Sequence, residues 1–382
     1  MLRCNILTIF LAFSLLAGAQ DWKVVREHPQ KAFPKTVAAG NYSGIAHLHD
    51  DIYAVVSDKS DSALYFNFRI QVNPKTGELE QVENLGFTER TDGTLNDGKP
   101  WQGLEKGFDH EAIVKVSDST LVIASEGYCR LKEYPILPTS ADAAKVDYQQ
   151  NLWESRWPSA DFYPNYNFES LAFDSVRQYL WTIPESTLRK DGQPPATPQN
   201  GLANQLRLMR LDRGKIKENR NKEGYSEQVS SKKDSRCMTT YAYQMDQPST
   251  YKKADIYVMG VSELCALPDG QLLVLEREAF IPNIKIGAFC KCKLYLVNPL
   301  NSEEFSMKEK FSSDTPFLKK RLLTEWKTGL SLSKRSFANY EGMCLGPKLE
   351  DGSQVVILQS DSQDQYAGVL KDWFKTIVIR KE

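Results

Sequence analysis

The chain of 382 residues has little of what ordinarily marks a function. Its four histidines, His28, His47, His49 and His110, are too few for a centre built on several histidine ligands or for a phosphohistidine relay. It has no Gly-x-Ser-x-Gly elbow, no His-Glu-x-x-His, no glycine-rich phosphate loop and no dinucleotide fingerprint. Those absences remove the hydrolases, zinc peptidases and nucleotide-binding folds that the motifs signal. The formal net charge is −1 and no basic block is interleaved with aromatics, so composition gives no reason to expect nucleic acid or a membrane surface as partner. Helical periodicity is scarce, and beyond the first 19 residues no apolar run is long enough to span a bilayer.

The first 19 residues have the pattern of a secretory signal. Arg3 is the only charge, residues 6–16 are apolar, and Ala17-Gly18-Ala19 fits the small-residue cleavage rule. Gln20 stands where a lipoprotein would need cysteine, and Cys4 lies too early for that role. The expectation is a soluble exported monomer, periplasmic or secreted, with residues 20–382 as one domain. Six cysteines follow the leader: Cys129, Cys237, Cys265, Cys290, Cys292 and Cys344. An even number in an exported chain permits disulfides, but no pairing can be read from spacing. Cys290-Lys291-Cys292 sets two thiols on one strand face, without the second spaced pair of a zinc ribbon or finger.

What is present is a carboxylate pattern in two parts. A strand-like run opened by an acid recurs at Asp109-His110-Glu111, Asn167-Phe168-Glu169, Val261-Ser262-Glu263 and Asn339-Tyr340-Glu341. An apolar run closed by an acid follows each one, at Glu126, Glu185, Glu276 and Asp361. A fifth copy near the N-terminus has Tyr42-Ser43-Gly44 in place of the first acid and keeps Asp58 as the second. Glu111 and Glu126 are 15 residues apart, Glu169 and Glu185 are 16, and Glu263 and Glu276 are 13. Each interval suits two strands and a turn, and in an antiparallel hairpin the start of one strand lies beside the end of the next. Each acid pair should therefore meet at one end of its hairpin. Acids at strand ends are commonly just solvated or bonded to loop amides. Recurrence at matched places favours a shared cation or ligand, which would offset the repulsion between them.

Repeated groups of about four strands at periods of tens of residues indicate an all-β β-propeller, closed as a single domain of five or six blades. The 94-residue interval from Glu169 to Glu263 has room for a degenerate blade. The alternating segment Trp22 to Arg26 is placed to complete the last blade. The irregular segments are residues 138–158, 189–204, 213–236 and 301–319; the second follows Glu185 directly and is placed to cover an acidic mouth.

Bases follow the second acids closely: Lys59 after Asp58, Arg130 after Glu126, Arg189 after Glu185 and Arg277 after Glu276. Local charge pairing explains this simply and is worth little at a surface. A sharper reading is a mouth combining carboxylates for Ca²⁺ or Mg²⁺ with guanidinium forks for phosphate oxygens. His110, between two acids, is a further candidate to line it.

With these motifs in order, the chain resembles the phytase-like, or "esterase-like activity of phytase", family of exported bacterial proteins. The resemblance rests on Ser43-Gly44-Ile45 with Asp58, Asp109-His110-Glu111 with Glu126, Asn167-Phe168-Glu169 with Glu185, Glu263 with Glu276, and Asn339-Tyr340-Glu341 with Asp361. It runs from about Tyr42 to Ile379. It implies a propeller and a phosphoesterase activity, and supplies no nucleophile. The expected site is a divalent cation, most plausibly Ca²⁺, held among Asp58, Glu111, Glu126, Glu169, Glu185, Glu263, Glu276, Glu341 and Asp361. Glu111, Glu169, Glu263 and Glu341 would serve catalysis; Lys59, His110, Arg130, Arg189 and Arg277 would bind a phosphoester substrate. The alternative is a non-catalytic propeller in which the same acids hold a structural cation and the loops bind a glycan or a protein.

Overall fold

The computed structural model describes residues 21–60, 64–87, 109–136, 152–216, 237–331, 335–363 and 370–382. The leader and most of segments 138–158 and 213–236 lie outside the described residues.

Twenty-one strands are described. Strands β1 (Trp22–Glu27) and β2 (Lys31–Ala32) come first. Blade one follows as β3 (Tyr42–His49), β4 (Ile52–Ser57), β5 (Phe66–Val72) and β6 (Leu79–Asn84). Blade two is β7 (His110–Lys115), β8 (Thr120–Ser125), β9 (Arg130–Pro135) and β10 (Glu154–Arg156). Blade three is β11 (Ala172–Asp174), β12 (Tyr179–Thr182), β13 (Gln205–Asp212) and β14 (Met238–Gln244). Blade four is β15 (Ile256–Ala266), β16 (Leu272–Ile281), β17 (Phe289–Val297) and β18 (Lys320–Gly329). Blade five is β19 (Asn339–Lys348), β20 (Gln354–Asp361) and β21 (Trp373–Lys381), completed by β1 from the other end of the chain. All pairings are antiparallel.

The first strands β3, β7, β11, β15 and β19 pack side by side in that order, and β19 returns to β3. The fold is thus an all-β propeller of five blades. The long interval between Glu169 and Glu263 holds the two outer strands of blade three and their loops, with β14 as its outermost strand. Five apolar clusters are buried, one at each interface between neighbouring blades. This is why second strands such as Leu272-Leu273-Val274-Leu275 are apolar on both faces: each blade is covered on both sides by its neighbours. The inner strands come very close together. A Cβ at Gly342 would stand 2.4 Å from the Ser43 carbonyl oxygen, so only glycine admits this approach.

Residues 305 and 318, in the segment read as irregular, donate backbone N–H groups to Thr240 and Ala242 on β14. The segment thereby covers an otherwise open sheet edge. Arg207 pins it, donating to Asp191 and to the Ser306 and Glu309 carbonyls between the rings of Phe305 and Phe311. The six cysteines of the described residues are all buried and none forms a disulfide. Among the described residues no helix is long and apolar enough to cross a membrane.

Closure by β1 gives a direct test. Trp22 is buried at the junction of blades four and five, and its indole N–H donates to Asp269 at 2.7 Å. Trp22→Ala is expected to cost about 3 kcal/mol or more, as for other buried tryptophans. The cost would be read from the urea midpoint at unchanged m-value.

Candidate functional site

Each first strand except the short β11 contains a bulge where it reaches the mouth, and that bulge sets which side chains reach the axis. In blade two, His110 pairs with Ser125 and Ala112 with Ala124, leaving Glu111 unpaired between them. Blade five repeats this with Tyr340 on Ser360, Gly342 on Gln359, and Glu341 between. In blade three Phe168 bridges Pro184 and the Glu185 N–H donates to the Asn167 carbonyl, which sets Glu169 at the same place. In blade one the place belongs to Ser43. The residue opposite and one step beyond is Asp58, Glu126, Glu185 and Asp361 in blades one, two, three and five.

Blade four departs from the expected alignment by one residue. Val261 pairs with Glu276 and Glu263 with Leu275, so Ser262 is the bulged residue and Arg277, opposite Gly260, takes the position of the second acid. A slip of one residue exchanges the two faces of a strand. Glu276 consequently turns away from the axis and accepts from Tyr243 at 2.6 Å and from Lys320 at 2.6 Å, between blades three and four. Glu263 sits one step down the axis from the other first-strand acids, where the other blades carry Gly44, Ala112, Ser170 and Gly342. It is fully buried, one oxygen accepts from the N–H groups of Leu171 and Leu264 at 2.9 Å each, and the other oxygen has no partner. Burial pushes its carboxyl well above the usual range.

Arg277 organises one side of the mouth. It is buried and donates to Glu185, to Glu169 at 3.2 Å, to Glu341, and to Asn339 at 3.0 Å. Two carboxylates of blade three, one before β11 and one after β12, and one of blade five therefore meet on one guanidinium from blade four. Gly260 makes room: a Cβ there would stand 2.3 Å from Cγ of Glu185, and the neighbouring Val261 N–H donates to the Glu185 carbonyl at 3.1 Å.

The other side, on blades one and two, holds Asp58, Asp109, Glu111 and Glu126. One carboxylate oxygen each from Asp58, Asp109 and Glu111 lies within 4.8 Å of the others. Lys59, 3.4 Å from Asp58, is the cation beside them. Burial first and neighbouring carboxylates second raise these acids: Asp58 to about 7, with Asp361 and Asp109 against it, and Glu126 to about 7, with Glu185 and Asp109 against it. Glu111, Glu169 and Glu341 are raised by burial first and then by neighbouring carboxylates, chiefly Glu341 on Glu111, Glu185 on Glu169 and Asp361 on Glu341; Asp361 itself is raised by burial. Oxygens bound opposite one another on Ca²⁺ are about 5 Å apart, since Ca–O is 2.3–2.6 Å, so three oxygens within 4.8 Å fit a single ion. One oxygen of Asp58 is buried without a hydrogen-bond partner, which adds to the fit.

Three of the bases expected at the site stand elsewhere or are already engaged. Arg130 is buried within blade two, over the Tyr128 ring at 4.7 Å and 3.8 Å from Glu154. Arg189 stacks on Tyr163 at 4.8 Å, donates to the Phe162 carbonyl, and lines a cleft of about 450 Å³ that also touches Asn167. Arg277 is at the mouth, but turned to carboxylates. His110 does not line the mouth either. It packs between blades, where Tyr42, Phe168, Val261 and Tyr340 stand in the other four, and burial lowers its pKa to about 3, leaving it neutral. Lys59 is where expected.

Asp109 was not among the expected ligands although it opens its motif. Asn41, Asn167 and Asn339 stand at the same place, two residues before the bulge. Asn41 and Asp109 have φ of 47° and 51°, a left-handed conformation that Asn and Asp tolerate better than most residues. That recurring Asn/Asp was the available signal. Tyr166, beside Glu185 and Glu169 and raised to about 12 chiefly by burial, had none.

The molecule is thus a five-bladed propeller with a carboxylate-rich axial mouth. Residues 37–363 match the family model described as phytase-like, esterase-like activity of phytase, and the chain belongs to that family. No curated protein matches it significantly. Among solved structures it is similar to an endo-arabinase from Bacteroides thetaiotaomicron, at 9% identity and a TM-score of 0.40, covering 91% of this chain and 95% of that one. It is also similar to virginiamycin B lyase from Staphylococcus aureus, at 8% identity and a TM-score of 0.33, covering 94% and 99%. At these values neither bears on the reaction.

An acid whose pKa is higher folded than unfolded binds an extra proton in the folded state, and that stability is lost as pH rises through the folded value. With Asp58 and Glu126 raised to about 7, the metal-free protein should lose stability between about pH 4 and about pH 7. Melting temperatures of chelator-treated protein should fall across that window, and excess Ca²⁺ should remove most of the fall. Arg277→Met leaves Glu169, Glu185 and Glu341 without their shared cation, a loss of about 3–5 kcal/mol for a broken buried pair. Urea titration should show the loss at pH 8 and a smaller one at pH 5, where the acids take up protons.

Proposed function

We propose that this protein is a divalent-cation-dependent phosphoesterase working at the axial mouth, with Ca²⁺ at Asp58, Asp109 and Glu111. The observation that carries this reading is the set of three carboxylate oxygens within 4.8 Å of one another, on the side of the mouth that Arg277 does not reach. Membership of the phytase-like family supports the substrate class. A bound divalent cation would supply charge for a phosphoryl oxygen and a more acidic water.

This chain's own residues divide the remaining work. Glu126, raised to about 7 and adjoining Asp109, has the proton affinity of a general base or acid near neutral pH. Lys59, half-exposed beside Asp58, is a cation close enough to the site to attract a phosphoryl oxygen. Arg277 acts as a positioning residue, holding Glu169, Glu185 and Glu341 in place and opposing the rise in pKa that burial imposes on them. The leader pattern of residues 1–19 supports action outside the cytoplasm.

A binding propeller is the second reading. It is favoured by the fact that Arg277 spends its donors on carboxylates rather than facing a ligand.

Phosphate release from phytate and from a phosphodiester, with Ca²⁺ and with chelator, separates the two. Turnover that needs the metal, and that falls on the order of a hundredfold or more in Asp58→Asn and in Glu111→Gln, is the expected result. Unchanged turnover in both variants would remove the site assignment. No turnover in the parent on any ester would leave the binding reading.

A further inference from the structure

Blade four is built differently from the rest. Its strands β15 to β18 run nine to eleven residues, where the first two strands of blade three have three and four. The excess lies on the side of the mouth. Strand β15 begins at Ile256, four residues before Gly260, and β16 continues to Ile281, four residues past Arg277. At about 3.3 Å per residue the blade extends roughly 13 Å beyond the carboxylates.

The end of this extension carries apolar side chains in water. Ile284 is 76% exposed, Ile286 47%, Ile256 50%, and Tyr251 in the preceding loop 87%. Two exposed lysines, Lys252 and Lys253, adjoin Tyr251. Asp255, just before β15, is paired with Lys285 at 3.2 Å. The tip is ordered by its own backbone: Lys285 donates to Pro282, Ile286 to Ile284, Gly287 to Leu330, and Asp255 to Ile281.

We propose that this tip docks the protein on an anionic lipid surface, with Ile284, Ile286 and Tyr251 entering the headgroup region and Lys252 and Lys253 against the lipid phosphates. Contiguous exposed apolar groups bordered by polar ones mark interaction surfaces. The choice of partner follows from shape and charge. A stable protein interface takes about 800 Å² from each side, which a turn bearing a few side chains does not offer. A bilayer interface closes around a protrusion, and each basic residue near an anionic surface adds attraction. The acidic mouth does not oppose this, because roughly 13 Å of strand exceeds the Debye length of about 8 Å at physiological ionic strength. Docking of this kind turns the mouth toward the surface. It does not depend on the reaction proposed above.

Co-sedimentation with vesicles tests it, using equal parts phosphatidylcholine and phosphatidylglycerol, with pure phosphatidylcholine in parallel. The parent should pellet with the anionic vesicles and be released by salt. Ile284→Asp combined with Ile286→Asp should weaken binding on the order of tenfold or more. Lys252→Glu combined with Lys253→Glu should weaken it on the order of tenfold on anionic vesicles and little on neutral ones. Melting temperatures and turnover of soluble esters should match the parent in all variants, which separates failure of docking from failure of the enzyme reading. A parent that stays in the supernatant with both vesicles overturns the proposal. So does an aspartate pair that binds like the parent. Self-association in the ultracentrifuge that the aspartate pair abolishes would instead assign the patch to a second copy of this chain.

Discussion

Glu169, Glu185 and Glu341 reach the guanidinium of Arg277 from two blades, and Arg277 itself belongs to a third. Most of the mouth's geometry depends on that contact. Carboxylates buried this closely repel one another and lose their hydration, so without a shared cation they would separate or protonate. A planar fork with several donors can satisfy more than one of them at once, which an ammonium group does less well. Buried ion pairs contribute little net stability against an apolar alternative, because desolvation offsets the attraction. What Arg277 contributes instead is position: it ties three blades together at the axis, with Glu185 close enough to β15 that Gly260 is required.

The same contact makes the mouth asymmetric. Blade three directs both of its acids, and blade five its Glu341, to Arg277. Blades one and two direct Asp58, Asp109, Glu111 and Glu126 into a space where Lys59 is the neighbouring base. Charge is thus partly offset by a buried guanidinium on one side and in greater excess on the other. The excess is held by burial, which raises the pKa of Asp58 and Glu126 to about 7; under the proposed function a metal ion would displace those protons. A symmetric ring of five acid pairs would have spread that excess and offered no preferred place for an ion. The replacement of one acid by arginine in blade four localises it.

Much of the fold was legible because a propeller repeats its physics. Apolar second strands, turn residues and acids at matched hairpin ends recur with each blade, and the alternating segment at Trp22 was recognisable as the strand that closes the ring. The extra blade allowed between Glu169 and Glu263 was not there, because length alone does not separate a degenerate blade from long loops and the outer strands of blade three. Asp58, Glu111, Glu126, Glu169, Glu185, Glu341 and Asp361 were legible as acids of one mouth. Glu276 and Glu263 were misplaced, because the interval between two acids does not reveal which residue bulges. The better guide was the residue that packs between blades, Tyr42, His110, Phe168, Val261 or Tyr340, since the residue after it is the one released toward the axis.

The sequence by itself determined the repeating hairpins, the all-β class and the presence of acids at one end of each. These depend on alternation, turn chemistry and apolar runs within a few residues of one another. Tertiary structure alone decided which face each acid takes, that Arg277 rather than Glu276 enters the mouth, that Arg130 and His110 turn into the blades, and that Asp109 joins Asp58 and Glu111. Strand periodicity is two, so one bulge reverses the direction of every side chain beyond it, and a bulge is set by contacts with the neighbouring blade rather than by the local chain.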